Sequence, residues 1–187
     1  MINIVGVSGS LRKNSFNAGL LRSAVDAAPA HCTLTMNTIR GIPLYDGDIE
    51  ETAGIPDKVS DLKERIAAAD GLLIVTPEYN NSLPGVFKNA IDWLSRPPAD
   101  RPKVFGNLPV GIIGTTPGNF GTAFSQYAWL QVFRVLGAQV WSGQLLWVSG
   151  AMGKFDQEGN LHDEKTRTKL TRYLEGFTAF IHHINNE

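Results

Sequence analysis

Three short apolar runs rich in β-branched residues mark residues 2–7, 71–75 and 110–113. Each run ends in small or polar residues, where a loop would begin. A mainly apolar run of this length is typical of a strand that is buried on both faces. The three runs therefore predict inner strands of a parallel sheet.

Segments with a helical period separate and follow these strands. Two predicted helices each have apolar residues on one face. The face of the first consists of Val59, Leu62, Ile66 and Ala69, and the face of the second of Phe120, Ala123, Tyr127 and Leu130. A closing helix, capped near Asp163, has the apolar face Leu170, Tyr173, Leu174, Phe177, Phe180 or Ile181, and Ile184. This alternation predicts an α/β fold with helices on both faces of a parallel sheet, and the closing helix is expected to pack beside the first helix or its neighbour.

The edges of the predicted sheet are less sharply marked. A weaker strand is expected at residues 32–37, and a fifth at either 139–141 or 145–148, because periodicity does not separate the two. Residues 42–56 and 96–102 are rich in proline and charge and are interpreted as surface connections. The expectation is a five-stranded sheet in one domain, residues 1–187.

Composition narrows the functional classes. With 187 residues, 43% apolar and 19% charged, the chain can bury one core and is too short for two ordinary domains. A formal net charge of -1 argues against a nucleic-acid binder or a polybasic membrane binder. There is no basic signal-peptide region, and no apolar stretch approaches the roughly 20 residues of a membrane span. We therefore expect a cytoplasmic protein with no nucleic-acid or membrane partner.

Cys32 is the only cysteine, which excludes internal disulfides, CxxC redox pairs and cysteine-based zinc sites. Adjacent side chains of a strand point to opposite faces, so His31 is not positioned to activate this thiol. Cys32 is therefore expected to be a small core residue. The four histidines are scattered along the chain, and no metal site is predicted.

The loop after the first strand has the character of an anion site. It reads Ser8-Gly9-Ser10-Leu11-Arg12-Lys13-Asn14-Ser15-Phe16-Asn17 and leads into a helix-forming segment. Ser15 suits the N-cap of that helix, which would leave N–H groups near Asn17 and Ala18 free to bind an anion. Ser10, Ser15 and Asn17 can add side-chain donors, and Arg12 can pair with phosphate oxygens. The expected guest is a phosphate monoester, and the plainer alternative is a capped turn without a ligand.

Two rival phosphate motifs are absent. A P-loop needs Gly-Lys-Ser/Thr at its end, and a dinucleotide fingerprint needs G-x-G-x-x-G followed about 20 residues later by an acid for the ribose. Gly6 and Gly9 have a different spacing, and the end of the second strand near Asn37 has no carboxylate. Neither a triphosphate site nor a Rossmann dinucleotide site is predicted.

The second loop, Thr76-Pro77-Glu78-Tyr79-Asn80-Asn81-Ser82-Leu83-Pro84, suits a flat heteroaromatic ring. Pro77 ends the strand because proline donates no ladder hydrogen bond, and Pro84 suits the first turn of the next helix. The N–H groups expected to bind ring carbonyls and nitrogens are those of Glu78, Tyr79, Asn80 and Asn81. The Tyr79 ring can cover or flank the ligand. Glu78 is interpreted as a structural or pocket-edge residue, because its carboxylate would repel negative charge that develops on a reduced ring.

The third loop, Gly114-Thr115-Thr116-Pro117-Gly118-Asn119-Phe120-Gly121-Thr122, again lies between a buried strand and a helix. Thr115 and Gly118 are expected to complete a crevice that the three loops form at one edge of the sheet. An anion site beside two loops suited to a ring describes a mononucleotide with a planar head group. FMN fits this description better than a dinucleotide.

Two segments resemble the signatures of the NADPH-dependent FMN reductases, a family that includes chromate and quinone reductases and related azoreductases. One is residues 9–17, and the other is residues 76–85, continued by Lys88-Asn89-Ala90-Ile91-Asp92-Trp93-Leu94-Ser95-Arg96-Pro97. The resemblance extends from Ile2 to the last helix. It implies a flavodoxin-like fold, a three-layer sandwich with a five-stranded parallel sheet in the order 2-1-3-4-5.

The resemblance also implies which residues bind the cofactor. The FMN phosphate would be held by Ser10, Arg12, Ser15, Phe16 and Asn17, and the isoalloxazine ring by Pro77, Glu78, Tyr79 and Asn80. Family members form dimers or tetramers with pockets near a subunit boundary, so a homodimer or homotetramer is expected. Tyr127 matches a tyrosine of the tetramer contact in chromate-reducing relatives, whereas Phe124 stands where they have arginine. The third loop also departs from the family's usual Ser/Gly-rich run.

The implied activity is hydride transfer in two steps, from NADH or NADPH to FMN and then to a quinone, an azo or nitro compound, free flavin or an oxidised metal species. No catalytic side chain is expected, because the flavin carries the chemistry while the protein holds the ring and leaves one face open. The alternatives are a non-enzymatic electron carrier or redox-sensing module, and a binding domain without flavin. Flavodoxin-type carriers are usually strongly acidic, so the net charge of -1 favours the enzyme.

Overall fold

A parallel β-sheet forms the centre of the computed structural model, which describes residues 1–186. The strands are β1 (Ile2–Ser8), β2 (Cys32–Thr38), β3 (Gly71–Val75), β4 (Pro109–Thr115), β5 (Gln139–Val140) and β6 (Leu146–Val148). Their order is β2-β1-β3-β4-β5, with β6 also paired to β4, and every pairing is parallel. The predicted strand order 2-1-3-4-5 is confirmed.

Helices cover both faces of this sheet. They are α1 (Phe16–Asp26), α2 (Gly47–Ala53), α3 (Asp57–Ala67), α4 (Gly85–Leu94), α5 (Arg101–Phe105), α6 (Ala123–Leu136) and α7 (Glu164–Ile184). Leu73 and Val75 face the side covered by α1 and α7, while Leu72 and Ile74 face the side covered by α3 to α6. Successive residues of a strand alternate between faces, so the unbroken apolar run of β3 fills two cores at once. Helices α1 and α7 are in contact, as the sequence predicts.

The fifth position of the sheet is shared by two short strands. Gln139 and Val140 pair with the beginning of β4, and Leu146 to Val148 pair with its end. The two segments that the sequence left as alternatives are therefore both strands, and the count of five is wrong by one. A loop at residues 141–145 separates them and leaves Ile112 without a strand partner on that side.

The predicted buried face of α6 is wrong. Phe120 lies before the helix and is 64% exposed, and Tyr127 is 53% exposed. The buried face instead consists of Ser125, Gln126, Trp129 and Phe133. Apolar residues lie on both sides of this helix, so the periodicity predicts that a helix is present but does not predict which side faces the core.

Both predicted surface connections contain short helices. Residues 42–56 include α2, where Asp46 caps the helix by accepting a hydrogen bond from the Asp48 N–H group. Residues 96–102 include a 3₁₀ turn, Pro98–Asp100, and the first residues of α5. No residue of α2 is buried, so it leaves no amphipathic signal. Within residues 1–186, no helix is both long enough and apolar enough to cross a membrane.

Candidate functional site

Three loops leave the carboxyl edge of the sheet side by side, after β1, β3 and β4. The register pairs Ser8 with Val75 at the ends of β1 and β3. The Gly9 N–H group donates to the Val75 carbonyl at 3.0 Å, and the Thr76 N–H group donates to the Ile113 carbonyl at 2.8 Å. Successive strands are added on one side of β1 and then, from β3 onward, on its other side, so the strand order reverses between β1 and β3, and open α/β sheets form their ligand crevice at such a point. The three loops singled out in the sequence therefore border one crevice.

The first loop, residues 8–17, runs into the capped first turn of α1. The Ser15 hydroxyl accepts a hydrogen bond from the Ala18 N–H group at 3.3 Å, which confirms the predicted N-cap. The N–H groups of Ser10, Phe16 and Asn17 have no acceptor within residues 1–186. Free N–H groups at a helix N-terminus attract an anion.

Among the side chains of the first loop, Arg12 is available to a ligand, whereas Asn17 is engaged in contacts within the protein. The exposed Arg12 guanidinium makes no ion pair with any part of the chain that the structure describes. The Asn17 amide, expected to be a phosphate donor, is instead paired with the backbone of Thr115. Its Nδ2 donates to the Thr115 carbonyl and its Oδ1 accepts from the Thr115 N–H group, both at 2.9 Å. Asn17 thus joins the start of α1 to the end of β4, and its backbone N–H group remains available to a ligand.

A segment far along the chain contacts both this loop and α1. The Asn14 side chain donates to the Gln157 carbonyl at 3.0 Å, and Arg22 donates to the Gly159 carbonyl at 3.1 Å. We call residues 154–162 the strap. Its turn is closed by the Asn160 N–H group, which donates to the Asp156 carboxylate at 2.7 Å and lowers the pKa of that group.

Helix α1 approaches the strap closely at Gly19. A Cβ atom at this position would lie 1.6 Å from the Gly159 carbonyl oxygen. Only glycine fits such a contact, and a glycine inside a helical pattern is the sequence signal that would have indicated it. The sequence reasoning missed this strap.

The second loop contains a tight hairpin with a two-residue turn. The N–H groups of Tyr79 and Ser82 each donate to the carbonyl of the other, at 3.1 and 3.0 Å. Asn80 and Asn81 have φ values of 51° and 58°, as a type I′ turn requires and as asparagine tolerates. The Tyr79 N–H group is therefore not free for a ligand, contrary to expectation. Those of Glu78 and Asn80 have no acceptor in the described residues.

The Glu78 carboxylate is directed at a helix end. It accepts a hydrogen bond from the Ser125 N–H group in the first turn of α6, at 3.0 Å. A carboxylate at this end of a helix is stabilised by the helix dipole, which offsets its negative charge. This contact agrees with a structural role for Glu78.

A buried polar network, missed by the sequence reasoning, also ties the second loop to α6. The Thr76 hydroxyl lies 2.9 Å from the Ser125 hydroxyl and accepts a hydrogen bond from Trp129 Nε1 at 3.0 Å. All three side chains are buried. The available signal was Trp129, since a buried indole N–H group requires an acceptor.

The third loop is hydrogen-bonded to the end of β6 and to the residues that follow it. The Thr116 N–H group donates to the Val148 carbonyl at 3.1 Å, and the Gly118 carbonyl accepts from Gly150 at the same distance. The loop ends at Thr122, a β-branched residue with a φ of 68°, whose conformation is strained. Of the two residues predicted from this loop, Thr115 is buried at the end of β4 and Gly118 is exposed.

The sequence model of the NADPH-dependent FMN reductase family matches residues 2–153. The chain belongs to this family. It is 39% identical over 183 residues to an NAD(P)H-dependent FMN reductase of Pseudomonas aeruginosa, covering 98% of this chain and 97% of the relative. It is 40% identical over 185 residues to a quinone reductase of Escherichia coli, with coverages of 98% and 97%.

Solved structures extend the comparison to the fold. The flavoenzyme NAD(P)H:(acceptor) oxidoreductase FerB from Paracoccus denitrificans matches with a TM-score of 0.86 and 31% identity, over 98% of each chain. The flavodoxin-like fold expected from the resemblance is thus confirmed for this FMN reductase family member, with the sixth strand as the one difference in count.

The crevice of this FMN reductase family member has polar groups that suit FMN. Ser8 Oγ and Thr115 Oγ1 are buried and have no hydrogen-bond partner within residues 1–186. They lie at the ends of β1 and β4, next to the free N–H groups of the first loop. Buried hydroxyls without partners are unfavourable unless a ligand or water satisfies them. A phosphate and a polyhydroxylated chain supply the acceptors and donors that this edge lacks.

Proposed function

We propose that this chain is an FMN-dependent NAD(P)H oxidoreductase that reduces quinones, with residues 1–187 forming one FMN-binding domain. The observation that carries the proposal is the set of unpartnered groups at one edge of the sheet: the hydroxyls of Ser8 and Thr115 and the N–H groups of the first loop. When bound, FMN supplies two-electron transfer between a reduced nicotinamide nucleotide and an acceptor. Membership of the FMN reductase family and the names of the relatives support the same activity.

In this proposal the first loop binds the FMN phosphate. The residues assigned to it are Ser10, Arg12, Ser15, Phe16 and Asn17. Arg12 supplies a charge-assisted contact, while Phe16 and Asn17 supply N–H groups at the end of the α1 dipole. Ser15 contributes by capping α1, and the Asn17 side chain by holding α1 against β4.

The second and third loops hold the ring in this proposal. The residues assigned to it are Pro77, Glu78, Tyr79, Asn80, Thr115 and Gly118. The N–H groups of Glu78 and Asn80 face no protein acceptor in residues 1–186 and can stabilise negative charge on a reduced ring. Because the Glu78 carboxylate is bound to α6, its own charge is partly offset. No side chain is assigned a proton transfer, and the chain's task is to orient the ring beside an open face.

We also propose a homodimer or homotetramer. Phe120, Phe124, Tyr127 and Leu130 are exposed along the outer side of α6 and the loop before it. Phe120 contacts Phe124, and Tyr127 contacts Trp147, so two pairs of exposed rings lie along α6 and the third loop. Such exposed apolar groups favour association with a second copy of the chain. Sedimentation velocity tests this, and a monomer at micromolar concentration would contradict it.

The acceptor range is tested with the FMN-loaded protein. Steady-state oxidation of NADPH and NADH is measured with a benzoquinone, an azo dye, a nitroaromatic, free FMN and chromate, at equal concentrations. We expect the highest kcat/KM with the quinone. Flavin binding without turnover with any acceptor would favour the electron carrier, and failure to bind FMN would contradict the proposed function.

A further inference from the structure

A positively charged groove lies outside the three loops, between the end of β2 and helix α3. It has a volume of about 470 Å³ and is lined by Asn37, Thr38 and Arg40 from the β2 side and by Lys58, Asp61 and Arg65 from α3. This volume is within the usual range for small-ligand sites. Three cations face one carboxylate, so the groove has an excess of positive charge.

These cations are not neutralised by the protein. Lys58 and Arg65 make no ion pair or side-chain hydrogen bond within residues 1–186, and Arg40 contacts only a backbone carbonyl, that of Leu11. Elsewhere, Lys63 pairs with Asp100 at 2.7 Å, and Lys88, Arg96 and Arg167 also have carboxylate partners. Unpaired cations that converge on a cavity favour an anionic ligand.

The groove adjoins the first loop. Strands β1 and β2 are neighbours, with Ser8 opposite Thr38, and Arg40 is the second residue after the end of β2. The bond from Arg40 to the Leu11 carbonyl joins the groove to the loop that contains Arg12. Helix α3 begins at the same edge, so Lys58 lies near the crevice and Arg65 about two turns farther along.

In Rossmann dinucleotide sites, the end of the strand beside the phosphate-binding loop is where the 2′ position of adenosine is distinguished. The first loop of this chain is assigned to FMN, so the likeness is confined to the chemistry of that discrimination. A carboxylate there accepts a hydrogen bond from a ribose 2′-hydroxyl, whereas an arginine accommodates a 2′-phosphate. In this chain the end of β2 has Asn37, Thr38 and Arg40 and no carboxylate. Strand β2 lies two positions from β3, about 10 Å away, a distance that an extended dinucleotide exceeds.

We propose that this groove binds the 2′-phosphate of NADPH, with Arg40, Lys58 and Arg65 as its cationic contacts, so that the enzyme prefers NADPH to NADH. The assignment rests on the proposed function for its role in turnover. The binding site itself is defined by the groove and is independent of FMN. The 2′-phosphate is the only chemical difference between the two nucleotides, and it alone requires the extra positive charge.

The test variant is the double substitution Lys58→Gln and Arg65→Gln, which leaves Arg40 and its contact with the first loop intact. Both side chains are exposed, so the exchange removes charge without opening the core. The matched control is Lys169→Gln with Arg172→Gln, two exposed cations on α7. The first measurement is calorimetric titration with adenosine 2′,5′-bisphosphate and with 5′-AMP, in the absence of nicotinamide.

We expect the wild type and the control to bind the bisphosphate more tightly than 5′-AMP. The groove variant should lose affinity for the bisphosphate by about tenfold or more, since two charge-assisted contacts are removed. Binding should also weaken as salt is added. Equal affinity of the wild type for the two nucleotides, or unchanged binding by the variant, would overturn the proposal.

Turnover gives the second measurement. For the FMN-loaded variant, kcat/KM with NADPH should fall about tenfold, through KM, while kcat/KM with NADH is retained. An equal fall with both nucleotides would overturn the 2′-phosphate assignment. If the wild type binds the bisphosphate but neither nucleotide reduces the flavin, the proposed function fails while the groove assignment stands.

Discussion

The Tyr173 hydroxyl replaces a missing strand partner. The Ile112 N–H group donates to it at 2.8 Å, and the hydroxyl donates in turn to the Ile112 carbonyl at 3.2 Å. The N–H and carbonyl groups of Ile112 have no strand partner on the side of β5 and β6, because the loop at residues 141–145 separates these two strands. One side chain thus satisfies a donor and an acceptor that would otherwise be buried without partners.

Substitution Tyr173→Phe should lower the free energy of unfolding by about 1–3 kcal/mol, because it leaves two buried backbone groups unsatisfied. Urea denaturation measures the change. The matched control is Tyr127→Phe, whose hydroxyl makes no hydrogen bond within the described chain. Equal stability of the two variants would contradict this account of Tyr173.

The same residue predicts a pH dependence. Burial raises the pKa of Tyr173 well above its ordinary value of 10.0. Above pH 10 the unfolded chain releases this proton while the native protein retains it, so the wild type should lose about 1.4 kcal/mol per pH unit relative to Tyr173→Phe. Below pH 10 the difference between the two proteins should be constant. Denaturation curves from pH 8 to 11 provide the measurement.

Arg12 is the residue most directly tied to phosphate binding. Arg12→Ala should raise the Kd for FMN about tenfold or more, because it removes a charge-assisted contact. Lys13→Ala is the matched control, since Lys13 is an adjacent exposed cation, and it should leave the Kd unchanged. Fluorescence titration of FMN measures both. An unchanged Kd for Arg12→Ala would remove this residue from the site.

At the scale of elements, the position of α1 depends on the strap. Gly19→Ala places a Cβ atom 1.6 Å from the Gly159 carbonyl oxygen, so α1 and the strap must separate. We expect the free energy of unfolding to fall by about 1–3 kcal/mol and the FMN affinity to fall with it. In an exposed helix the same change would stabilise by up to about 1 kcal/mol, so the sign is diagnostic.

Gly47→Ala in α2 is the control for this prediction. A Cβ atom at Gly47 would meet only the Tyr45 hydroxyl, at 3.9 Å, which is an ordinary contact. Thermal denaturation of both variants, followed by FMN titration, separates the two cases. A stable Gly19→Ala variant with wild-type affinity would contradict the bracing role of the strap.

The sequence predicts elements best where burial is uniform. Strand β3 is apolar throughout because both of its faces are covered, and α7 shows a clear period because one face meets the sheet. For helix α6 the pattern predicts the wrong buried face, since Trp129 and Phe133 face the core while Tyr127 faces outward. Hydrophobic periodicity does not distinguish an apolar face that is buried in the core from one that is exposed.

The candidate site was predictable in its location and only partly in its contacts. Buried strands that end in polar loops identify the carboxyl edge, and Ser15 carries a recognisable cap signal. The pairing of Asn17 with Thr115 joins residues 98 positions apart, and the Thr76 contact with Ser125 joins residues 49 apart. Such pairings depend on tertiary packing, so local sequence rules do not reveal them.

For the whole molecule, a rigid sheet positions three loops whose backbone carries most of the proposed binding. The strands hold the loop ends in register. Three sets of contacts fix the loops from outside the crevice: the Thr76 hydroxyl with Ser125, the Asn17 side chain with the Thr115 backbone, and Asn14 with the strap. In the proposed function, no side chain is therefore assigned a catalytic role. FMN would supply the chemistry when bound, and the protein would supply position and electrostatic environment.

The most direct test of this account is an anaerobic experiment in two stages on the FMN-loaded protein. Flavin absorbance is followed while one equivalent of NADPH is added, and again when a benzoquinone is added. We predict that the flavin band is bleached by NADPH and returns fully with the quinone, without a second protein. A bound flavin that keeps its absorbance with both NADPH and NADH, or one that bleaches and does not return with the quinone, would contradict the account.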